Sequence, residues 1–254
     1  MLETVVCYRS PTTTCNVDRI ADWLTDRIEA TVEVRDRFLD VYGDEELAER
    51  FAHARITSPY DRSTGTTMLG AVRYEQRVLD EPANAGGVLY DGLSLQRSLA
   101  ATIPPAEREL RTLHIAVLDR PIATWGDHDG RWHKRVVILG APALVSVPGL
   151  YEAPAKPAAY YAAKHRYAMT AGDVPPREYL EATIDGDFLL ENDHRTTEAL
   201  KGYFLQAVHL RTTGSAFCHE TDCRLANPHR QAGVIRAQLR EPAFCSRHAA
   251  RYEP

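Results

Sequence analysis

The C-terminal stretch FCHETDCRLANPHRQAGVIRAQLREPAFCSRH constrains this chain more than any other feature. It supplies Cys218, four residues, Cys223, twenty-one residues, Cys245, two residues and His248. Two close pairs of soft donors separated by a loop suit a tetrahedral zinc ion, because each pair takes adjacent corners and the loop closes the cage. Protein then fills all four positions, so the ion is a structural fastener with no open site for chemistry. Three thiolates and one imidazole leave the site at a charge of about −1, which Arg224 and Arg247 are placed to offset. The alternative, scattered buried cysteines, fits poorly with three of the five cysteines falling in one stretch. The histidine favours zinc over an iron–sulfur cluster. The expectation is one structural zinc per chain, whose binding free energy folds a tail too short to build its own core.

The rest of the sequence frames that tail. A chain of 254 residues with 44% hydrophobic content can bury one large core. No apolar run approaches the roughly 20 residues that span a bilayer. The opening MLETVVCYRS lacks a basic segment followed by an apolar stretch, so a cytosolic protein is expected. A net charge of −5 gives no global basic field, and no nucleic-acid partner is expected. The basic positions Arg230, Arg236 and Arg240 read as a solvated face.

Hydrophobic periodicity predicts a strand over 2–8, a helix over 17–28 (Val17, Ile20, Leu24, Ile28) and a strand over 31–39. This β-α-β opening signals a partly parallel sheet. A charged helix is expected over 44–54, then loops over 56–85 with one short strand near 69–74. A helix over 90–99 has Asp91 as its N-cap. LHIAVL (113–118) and RVVIL (135–139) are the clearest strands, with a hairpin turn at Asp129-Gly130 between them. Helices follow over 157–169 and 196–213, the latter stopping at Gly214. The fold class is mixed α/β, a mixed sheet with flanking helices. One domain is expected over 1–254, of which 215–254 form the clamped tail.

The tail and the helix before it resemble the archaemetzincins. In that family the catalytic helix ends in a glycine, then a cysteine, four residues and a second cysteine, and a later pair completes a structural zinc site. LKGYFLQAVHLRTTG, Gly214, Cys218 and Cys223 stand at matching offsets, with Cys245 and His248 as the late pair. The upstream order, including LYDGLSLQRSL, LHIAVL and RVVIL, is similar too. GLYEAPAKP also resembles a smaller archaeal group of metallopeptidase-like chains. The resemblance implies a zincin-type fold and a metallopeptidase ancestry.

The residues that would carry that chemistry are different here. The offsets put the ligand histidines at Ala207, Arg211 and Phe217, the catalytic glutamate at Val208 and the Met-turn methionine at Leu225. None of these coordinates zinc or moves a proton, and arginine repels a dication. His219-Glu220 begins a motif of the right type, but its partner would be Cys223, already in the clamp. Asp193, His194 and Glu198 open the long helix and can collect with His209, but helix capping and a solvated face explain them better.

Three further groups stand out. Glu152 and Lys156 lie in a proline-bounded loop (149–156), with Tyr160, Tyr161, Lys164 and His165 on the next helix. Glu152, Lys156, Tyr160 and His209 are the candidate ligand-binding residues, suited to a peptide or a small anion. Asp127, His128, Asp129 and His133 can take a metal, although the hairpin turn alone accounts for them. Cys7 and Cys15 read as buried free thiols. Two functional classes follow: a non-catalytic peptide- or partner-binding descendant, or a zinc hydrolase with a rearranged site.

Overall fold

The computed structural model describes residues 1–65, 68–82, 86–173, 175–184 and 187–253. The chain opens with β1 (Thr4–Tyr8), α1 (Val17–Thr25) and β2 (Thr31–Arg35), and β1 and β2 pair in parallel as expected. Asn16 caps α1 by accepting from the Arg19 amide at 3.0 Å. The helix buries Val17, Ile20 and Leu24, the stripe its spacing announces. The second strand stops at Arg35 instead of reaching Leu39. Phe38 opens a short helix, α2 (Phe38–Tyr42), and packs its ring edge-on to Tyr8, 4.9 Å between centroids. α3 (Leu47–His53) and β3 (Arg55–Ile56) follow.

The largest departure from the sequence reading is α4 (Leu69–Asp80), which stands where loops and a short strand were expected. Its buried positions are Val78 and the charged Glu75, so hydrophobic periodicity registers only half of its inner face. Glu75 is fully buried and pairs with Arg120, while the Tyr90 hydroxyl donates to it at 3.0 Å. The Arg120 guanidinium lies 4.2 Å from the Phe51 ring centroid. A buried pair of this kind holds only when the surrounding groups satisfy both charges, as Tyr90 and Phe51 do here.

β4 (Leu89–Asp91) leads into α5 (Gly92–Thr102), and Asp91 is the cap, accepting from the Leu93 and Ser94 amides at 3.0 and 3.3 Å. β5 (Thr112–Leu118) is followed by the hairpin of β6 (Ile122–Gly126) and β7 (Arg131–Arg135), then β8 (Val137–Ile138) and β9 (Ala143–Ser146). Among the described residues these strands form two sheets, in the orders β2-β1-β5-β9-β8 and β3-β4-β6-β7. In the first, all pairings are parallel except β8 with β9. RVVIL is therefore not one strand. Arg135 ends β7 in one sheet and Val137 begins β8 in the other, with the Val136 carbonyl accepting from the Ser146 amide at 2.8 Å where the chain crosses.

α6 (Val147–Glu152) occupies much of the expected loop over 149–156, because Ser146 caps it through the Gly149 amide at 2.9 Å. The irregular stretch begins only after Glu152 and leads into α7 (Ala158–Ala171) and α8 (Arg177–Thr183). α9 (Thr196–Thr213) matches its expected span and stops at Gly214, whose φ of 78° is left-handed. It packs against α1, β5 and α10 (Gln231–Leu239), so most of its length is buried. α11 (Ser246–Tyr252) closes the described chain. No helix among the described residues is long and apolar enough to cross a membrane.

Candidate functional site

Cys218 and Cys223 lie in the turn-rich stretch after α9, while Cys245 and His248 stand at the start of α11. The four side chains converge into a cluster that can hold a metal ion, with donor atoms all within 4.8 Å of one another. Bonds of about 2.3 Å to sulfur and about 2.0 Å to nitrogen, set tetrahedrally, put sulfurs roughly 3.8 Å apart and sulfur and nitrogen roughly 3.5 Å apart. Cys218 Sγ lies 3.8 Å from Cys245 Sγ, and His248 Nδ1 lies 3.5 Å from Cys223 Sγ and 3.3 Å from Cys245 Sγ. The donor set and its spacing therefore fit tetrahedral zinc.

The polypeptide around these sulfurs is arranged for thiolates. The Glu220 amide donates to Cys218 Sγ at 3.3 Å. Peptide N–H groups of Cys245 and Leu225 face Cys223, and those of His248 and Arg247 face Cys245. Burial raises the Cys245 pKa, but the His248 amide, hydrogen bonds with the Cys218 and Cys223 sulfurs and the Arg247 amide outweigh it and hold the thiol below its ordinary value. Burial dominates at Cys223 and pushes it up to about 12. A metal ion removes that penalty by binding the deprotonated form. Arg247 stands near His248, whose pKa burial and that cation depress. Arg224 does not serve as the expected counter-charge. Its side chain is buried, donates to Glu198 at 2.8 Å and lies 5.2 Å from the Trp23 ring centroid.

The helix that would carry a peptidase centre is packed as core. Ala207 and Val208 are buried among apolar neighbours, and Arg211 donates to the Leu110 carbonyl at 2.6 Å. Leu225 is fully buried and Phe217 is partly exposed. His209 is not part of a ligand-binding group with Glu152, Lys156 and Tyr160. It is buried, contacts the Tyr252 hydroxyl at 2.7 Å and stands edge-on to His248 at 5.1 Å. Burial first, then His248, Arg251 and Arg247, push its pKa down to about 4. Asp193, His194 and Glu198 do not collect with it. Asp193 accepts from the Arg195 amide at 2.9 Å, Glu198 pairs with Lys201 and Arg224, and His194 is exposed. His219 and Glu220 are exposed beside the clamp. Cys7 and Cys15 are buried free thiols, each pushed up to about 12 chiefly by burial.

Glu152, Lys156 and Tyr160 do come together, in a cleft of about 790 Å³ that Tyr161 and Lys164 also line. Lys156 Nζ donates to the Tyr151 carbonyl and lies 4.9 Å from the Tyr160 ring centroid. Desolvation lowers its pKa to about 8. Glu152 pairs with Lys134 of β7. Sequence reading missed Lys134 and the apolar wall of Leu180 and Leu190, because they reach the cleft from separate segments and share no local spacing; Tyr151, beside Glu152, lines the cleft as well. His165 does not line it.

Residues 6–251 match the profile of DUF7001, a family of unknown function, and the chain belongs to that family. No curated protein matches it significantly. Two solved structures are similar along nearly the whole chain. One is an archaemetzincin from Methanopyrus kandleri, at 14% identity and TM-score 0.43, covering 97% of this chain and 91% of its own. The other is a zinc-dependent peptidase from Methanocorpusculum labreanum (strain Z), at 10% identity and TM-score 0.46, covering 98% of each.

Proposed function

We propose that this protein holds one structural zinc through Cys218, Cys223, Cys245 and His248 and binds a carboxylate-bearing peptide or partner segment without cleaving it. The observation that carries the clamp is the agreement of its donor separations with a tetrahedral zinc ion. With four protein ligands that ion has no open position, so it supports the fold and not a reaction. Standard zinc-peptidase chemistry needs three ligands, an activated water and an adjacent base. Along α9 those positions are alanine, valine and an arginine already bonded to Leu110.

The binding role rests on the Lys156 cleft. Its amine is partly desolvated and backed by a tyrosine face, so an arriving carboxylate replaces lost solvation with a charge-assisted hydrogen bond. Leu180, Leu190 and Leu89 supply apolar wall for side chains next to that carboxylate. Fluorescence polarisation with a degenerate library of short labelled peptides bearing free carboxylates tests the role. Expected are saturable binding, a loss of at least about tenfold in Lys156→Met, and intact peptide by mass spectrometry. No saturable binding, binding indifferent to Lys156, or cleavage by the zinc-loaded protein contradicts the reading.

A further inference from the structure

The turn between β6 and β7 gathers a second set of metal-ligating side chains, far in sequence from the tail cysteines. His128, Asp129 and His133 present one donor atom each, all within 4.8 Å of one another. Asp129 Oδ1 is shared: it lies 2.9 Å from His133 Nε2 and 3.6 Å from His128 Nε2. An ion about 2.1 Å from nitrogen and oxygen donors sets neighbouring donors roughly 3.0–3.5 Å apart, in octahedral or tetrahedral arrangement. The two observed separations bracket that span.

Ordinary turn chemistry accounts for Asp129 meeting His133, but two features go beyond it. The first is Gly126. A Cβ there would stand 2.6 Å from Asp129 Oδ1 and 2.7 Å from His133 Nε2, so this residue leaves open the space the converging donors occupy. The second is the orientation of the carboxylate. Arg131 Nε donates to Asp129 Oδ2 at 2.7 Å, which fixes the group from behind and leaves Oδ1 aimed at both imidazoles. Outer partners of this kind orient metal-binding carboxylates. The His128 and His133 rings lie stacked and nearly parallel, 5.7 Å between centroids and 14° between planes.

The geometry points to a binding site for a borderline divalent cation, of the zinc, cobalt or nickel kind, formed by His128, Asp129 and His133. Two imidazoles and one carboxylate oxygen match that class of ion better than calcium or magnesium, which favour all-oxygen cages. Three protein ligands leave one or more positions for water. None of the three residues lines the Lys156 cleft or the neighbouring cavity of about 360 Å³. The site is therefore independent of the proposed peptide-binding role.

Protein with zinc in the tail clamp is titrated with Co²⁺ and followed by visible absorption. The expected result is one further equivalent with d–d bands but no thiolate-to-cobalt charge transfer. It is lost in His133→Ala and weakened at least about tenfold in Gly126→Ala, which removes no ligand but fills the space between them. Thermal unfolding of both variants without added cobalt should match the parent. An absence of further cobalt, a further equivalent that carries charge transfer, or one that survives both substitutions overturns the proposal.

Discussion

The tail and α4 are both short segments held on a larger core, and they are held by opposite means. The tail closes on four metal donors drawn from positions 218 to 248, close enough in sequence for their spacing to announce them. α4 buries Val78 and one carboxylate, Glu75, whose partner Arg120 lies 45 residues away. With zinc bound as proposed, the clamp would gain its energy from an ion that the unfolded chain does not organise. The Glu75–Arg120 pair has to offset two desolvation penalties with its own attraction and with Tyr90 and Phe51. On that proposal the first attachment would depend on metal and redox state, whereas the second needs neither.

That difference can be broken in order of size. Cys223→Ser removes a fully buried donor and should lose the zinc and the folded tail, at a cost on the order of 5 kcal/mol. In thermal unfolding, a strong chelator should bring the parent protein down to the variant and leave the variant unmoved. Glu75→Gln keeps the shape of the side chain but strands the Arg120 charge, and should cost about 3–5 kcal/mol. Its effect should be the same with and without chelator, with α4 amides losing hydrogen-exchange protection first.

Lys156 gives a smaller effect with a sign that pH reads directly. Its folded pKa is depressed to about 8, so below that value the buried amine is charged at an energetic cost, and stability should rise as pH climbs from 8 toward the lysine's ordinary value. Carboxylate binding needs the charged form. Affinity should hold steady below pH 7 and fall about tenfold per unit well above pH 8, a profile Lys156→Met should flatten. Smallest is His133→Ala, a half-buried side chain of β7 beside the hairpin turn, which should change stability by no more than about 0.5 kcal/mol. On the proposed reading the two metal-ligand clusters thus differ sharply: the tail clamp should be needed for folding and the hairpin cluster should not.

Much of the fold was legible where apolar periodicity and local side-chain chemistry agree. β1, α1, β5 and α9 have continuous apolar stripes, and Asp91 and Gly214 mark helix ends through local hydrogen bonding and backbone geometry. The missed elements fail one of those conditions. α4 buries a charge, α6 is a short helix starting within a proline-containing segment, and RVVIL is divided between two sheets although it reads as one apolar run. The same division holds for the sites. The donors of the clamp are grouped by sequence, as are Glu152, Lys156 and Tyr160, and the structure brings each group together. His209 and Arg224 were misplaced, because which neighbour a buried polar residue faces depends on packing between distant elements.

The central claim is that one tightly held zinc ion folds the tail. Elemental mass spectrometry on purified protein and on Cys218→Ser, both dialysed against a weak chelator that strips the hairpin turn, tests it most directly. The account predicts one zinc per chain in the parent, and none in the variant together with loss of hydrogen-exchange protection in the tail. A parent without zinc, or a variant that keeps both zinc and an ordered tail, would contradict it.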